Sequence, residues 1–158
     1  MPDVNLEIKQ ISLTLVNFLR LFAMMYLICQ TSVSGYCTAE ATYSIAHAWA
    51  IILPLLSAIT VQNVMRFHRR SDEVLIAMRL AYKTVLLSLM SNLAAIGLFG
   101  YELHQGVSYF YVQSKPFLIS TIVVTVFMLV CDVGVGFCLQ AYEGALPLLR
   151  KKLQNKKD

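Results

Sequence analysis

Charged residues are scarce in this chain. Asp, Glu, Lys and Arg make up 14% of its 158 residues, against roughly a quarter in an average globular domain. A water-soluble protein with so few charges would expose large apolar patches and aggregate. Recognisable chemistry is equally sparse. There is no CxxC, no HxxxH or HExxH, no GxSxG and no glycine-rich phosphate loop, so no metal, nucleophile or nucleotide signature stands out. A haem would need two histidines at equal depth on facing helices. His47 and His104 both belong near the outer face and are the only candidate pair, with His68 near the inner, and an interfacial histidine is more often simply solvated. The reading is a chain with no cofactor and no metal, and not an enzyme. The net charge of +4 gathers in two patches, which argues against nucleic acid as a partner.

What is present is apolar. Hydrophobic residues make up 58% of the chain, and the mean hydropathy is +0.64. A bilayer core about 30 Å thick takes about 20 helical residues to cross, and four segments are long enough: 11–31, 45–65, 82–100 and 117–140. With short connections these occupy the whole chain, so residues 1–158 are expected to form one all-α, integral membrane four-helix bundle with a basic tail, 144–158. Residues 32–44 and 101–116 are expected to be loops, the second with tyrosines suited to a membrane interface. Pro54 falls inside the second span, where it is expected to kink the helix without breaking it. The third helix is expected to begin at Ser71, ahead of its apolar part, because Ser71-Asp72-Glu73 suits a helix N-terminus. A rival parse makes the first segment a signal peptide cleaved after Ala39. Its start is acidic rather than basic, with Asp3 and Glu7 against Lys9, and a membrane span is preferred.

Topology follows from the cations. Arg66, Arg69, Arg70, Arg79 and Lys83 cluster between the second and third spans. Arg150, Lys151, Lys152, Lys156 and Lys157 occupy the tail, whereas loops 32–44 and 101–116 hold only Lys115. Positively charged loops stay on the cytoplasmic side, which puts both termini in the cytoplasm. Arg66, Arg69, Arg70, Arg150, Lys151 and Lys152 are expected to set this orientation and to touch anionic lipid. A bacterial inner membrane is the expected location.

Two ionisable residues lie inside apolar runs, Arg20 in the first span and Asp132 in the fourth. Holding a charge at that depth costs a few kcal/mol at least, so each demands an explanation. Arg20 lies about nine residues from the start of its span and Asp132 about eight from the end of its own. At about 1.5 Å per residue both fall about 12 Å from the cytoplasmic boundary. They are expected to pair, joining helices one and four and fixing their register. Thr121, Thr125, Asp132, Gly136 and Gln140 are expected to share one polar face, packing against the bundle or lining a pathway. Ala50, Pro54, Ala58 and Gln62 are expected to form a narrow contact face on the second helix. Ser88, Ser91, Asn92 and Ala95 are expected to lie along one side of the third. Cys131 and Cys138 read as small packing residues, and a Cys29–Cys37 disulfide is open if that side is oxidising.

The functional expectation is a small polytopic membrane protein embedded in lipid, acting as a non-catalytic subunit or accessory factor of a larger complex. Its partners would be other membrane subunits or further copies of itself. The alternative is a small oligomeric transporter or channel with Asp132 near the pathway.

Overall fold

The computed structural model describes residues 4–34, 41–67, 71–105, 114–146 and 155. The chain is all-helical, with α1 Val4–Ser34, α2 Ala41–Arg66, α3 Ser71–Gln105 and α4 Ser114–Ala145. All four are long and apolar enough to cross a membrane, and the protein is an integral membrane four-helix bundle. Neighbours in sequence are neighbours in space, and α4 closes the ring against α1. The pairings run antiparallel: Thr14 meets Met65 while Arg20 meets Ser57, and Tyr82 meets Glu143 while Asn92 meets Asp132.

The helices are longer than the hydropathy runs. α1 begins at Val4 rather than near 11, α2 begins at Ala41, and α4 continues to Ala145. Much of the two expected loops is therefore helix: residues 32–34 end α1, 41–44 open α2 and 101–105 end α3. The reason is physical. Hydropathy reports how much of a helix lipid can cover, whereas backbone hydrogen bonding carries the helix on into the interfacial region. The helix does begin at Ser71, as the polar start of that segment suggests. Pro54, which has no N–H to give the carbonyl one turn earlier, is buried within a helix that continues past it. After Arg66, Phe67 N–H still donates to the Asn63 carbonyl at 3.0 Å. At the end of α4, Leu146 N–H donates to the Glu143 carbonyl at 3.2 Å, the tighter three-residue turn common at helix ends.

Burial repeats with one period in all four helices. A buried stripe runs through 13, 17, 20, 24 and 27 on α1, and 50, 54, 57, 61 and 64 on α2, with 23, 58, 60 and 65 buried beside it. On α3 it runs through 74, 78, 81, 85, 88, 92, 95 and 99, and on α4 through 121, 125, 128, 132, 135, 139 and 142, with 84 and 131 buried beside it. Steps of four and three alternate, which is the 3.5-residue repeat of helices wound in a left-handed supercoil. The outward faces carry Phe22, Ile76 and Phe137, each about 70% exposed, as befits helices whose solvent is hydrocarbon. One close approach binds α1 to α4: a Cβ placed on Gly134 would lie 3.3 Å from Val16 Cγ1.

This period corrects the expected faces. Thr121, Thr125 and Asp132 point inward, but Gly136 is half-buried and Gln140 is exposed. Each four-residue step turns about 40° past a full circle, so a stripe written only in fours walks off the core face. Gln62 leaves the α2 core for the same reason, while Ala50, Pro54 and Ala58 stay inside. On α3, Ser88, Asn92 and Ala95 are buried and Ser91 is half-buried.

Candidate functional site

Apolar clusters fill the two ends of the bundle. Leu13, Val64, Met78 and Leu139 belong to one, while Met24, Leu27, Ala58 and Met128 lie beyond the middle. Between them lies a polar layer to which every helix contributes. α1 supplies Asn17 and Arg20, α2 supplies Ser57, α3 supplies Ser88 and Asn92, and α4 supplies Asp132. All six are core positions in the repeat described above. Side chains at such positions are forced inward, so six polar groups must satisfy one another or remain unpaired in hydrocarbon.

They do so through one connected network. Arg20 Nη1 donates to Asp132 Oδ1 at 2.8 Å and to Ser57 Oγ at 3.0 Å. Arg20 Nη2 donates to Asn17 Oδ1 at 2.8 Å, and Asn17 Nδ2 donates to the Ala58 carbonyl at 3.2 Å. On the far side, Asp132 Oδ2 accepts from Ser88 Oγ at 2.8 Å and from Asn92 Nδ2 at 2.7 Å. Arg20 and Asp132 are both 0% exposed. The layer therefore compensates two charges at a depth where either alone would be costly.

The bonding divides by hairpin. The α1–α2 pair cradles the guanidinium, the α3–α4 pair cradles the carboxylate, and the Arg20–Asp132 contact joins the two halves. A second connection across α2 and α3 lies one turn away, where the Thr60 and Thr84 hydroxyls meet at 2.6 Å. Two atoms of the layer, Arg20 Nε and Asn92 Oδ1, have no hydrogen-bond partner among the described residues. One is a donor and the other an acceptor.

Sequence reasoning places Arg20 and Asp132 at one depth, and the structure brings them into contact. Asp132 lies midway along the apolar stretch Ile119–Ala145, not near its edge. Ser57 is absent from the sequence reading, and nothing in its neighbourhood marks it beyond a hydroxyl in an apolar run. Asn17 and Arg20, three apart, and Ser88 and Asn92, four apart, carried a legible signal: both spacings place two polar groups on one helix face.

Other expected site residues lie elsewhere. The Thr125 hydroxyl donates to the Thr121 carbonyl at 2.7 Å and so serves its own helix. Arg66 is exposed at the end of α2, whereas Arg69, Arg70, Arg150, Lys151 and Lys152 lie outside the described residues. So do His68, Cys37 and the side chain of His47; His104 and Cys29 are exposed. Among the described residues no three His, Cys, Asp or Glu side chains converge as metal ligands. Near the same end as Arg66, Tyr82 OH donates to Glu143 Oε2 at 2.6 Å, tying α3 to α4. No protein-family model matches the chain, and neither a curated protein nor a solved structure matches it.

Proposed function

We propose that this protein is a non-catalytic membrane scaffold, a subunit or accessory factor that works through the outer faces of its helices. The observation that carries this reading is the closed polar layer. Its two charged side chains are wholly buried and committed to holding four helices together, which leaves neither of them facing a cleft where substrate could bind. What the molecule offers its surroundings is an apolar exterior, and the partners suited to it are other membrane chains or further copies of itself. Lipid covers the rest. The cation distribution supports an orientation with both termini in the cytoplasm, and a bacterial inner membrane is the location we favour.

Purification in mild detergent tests the scaffold directly. Stoichiometric co-purification of other membrane chains is the expected result, and a uniform homo-oligomer with no other chain counts against it. Reporter fusions at the tail test the orientation, with cytoplasmic activity expected.

A second reading is favoured by one specific observation, the unmet Arg20 Nε and Asn92 Oδ1 atoms. Both residues are bonded to Asp132, and polar atoms left unmet beside a buried carboxylate are what a small transporter or channel would use along its pathway. Reconstituted liposomes decide between the two. Proton or ion flux that Asp132→Asn abolishes would establish transport and displace the scaffold.

A further inference from the structure

We draw no further inference here: the strongest candidate, the cleft between α2 and α3 whose lining includes Asn63, Phe67, Ile76 and Leu80, carries nothing because no feature of the structure shows what occupies it.

Discussion

Asp132 illustrates how one residue can be costly and stabilising together. Its carboxylate accepts three hydrogen bonds, from Arg20, Ser88 and Asn92, and these are not equivalent. Removing the carboxylate leaves Arg20 as a buried charge without its counter-ion, a loss of about 3–5 kcal/mol. Removing the Ser88 hydroxyl leaves the ion pair intact and deletes one interhelical bond, about 1 kcal/mol within a membrane. Asp132→Ala should therefore abolish or sharply reduce folded yield, while Ser88→Ala should lower thermal stability in detergent by a few degrees. Equal effects of the two would show that the charge contact contributes no more than a hydroxyl. Exchanging Arg20 and Asp132 should recover part of the lost yield, but only part, because Asn17 and Ser57 are placed for a guanidinium on α1 and Ser88 and Asn92 for a carboxylate on α4.

At the scale of the helix, the 3.5-residue burial period organises everything else. It brings α1 and α4 close enough at Gly134 that an added side chain must displace Val16. Gly134→Ala should be tolerated with a small loss. Gly134→Leu should cost about 1–3 kcal/mol by overpacking, and Val16→Ala should restore much of it, as thermal unfolding of the single and double variants would reveal. The same period separates what the sequence made legible from what it hid. Four spans were legible because hydrocarbon thickness demands long apolar runs, and the Arg20–Asp132 contact because depth can be counted along a helix. The face through Gly136 and Gln140 was misread because its four-residue steps drift away from the axis. Helix ends were hidden for another reason: residues such as Thr42 and Ser44 are polar enough to resemble a loop, yet they lie on α2. Ser57 was hidden because its role depends on a partner 37 residues away in sequence.

The whole molecule is two helical hairpins that each half-solvate a charge. The polar bonds of the layer fall within α1–α2 or within α3–α4, apart from the one between Arg20 and Asp132. Close backbone approach is distributed differently, being most extensive between α2 and α3 and, among neighbouring helices, least between α1 and α2. Cohesion between the hairpins is thus mainly packing, with the ion pair selecting their register. Cutting the chain in the connection 68–70 and expressing both halves together should give two fragments that co-purify as a folded complex. Asp132→Ala in the second fragment should prevent their association. Fragments that fail to associate even without the substitution would show that the connection itself is needed to assemble the bundle.

A polar layer fixed to a 3.5-residue ruler also limits how the length of this chain can change over time. One residue inserted between Thr125 and Asp132 would rotate the carboxylate by about 100° and turn it towards lipid. Seven inserted residues would return it to nearly the same side but carry it about 10 Å along the axis, away from Ser88 and Asn92. Neither change leaves the network whole. Engineered insertions and deletions are therefore expected to be tolerated only in the connections between helices and at the ends. Within the helices, substitution is the change the bundle should accept, most readily where the side chains face hydrocarbon.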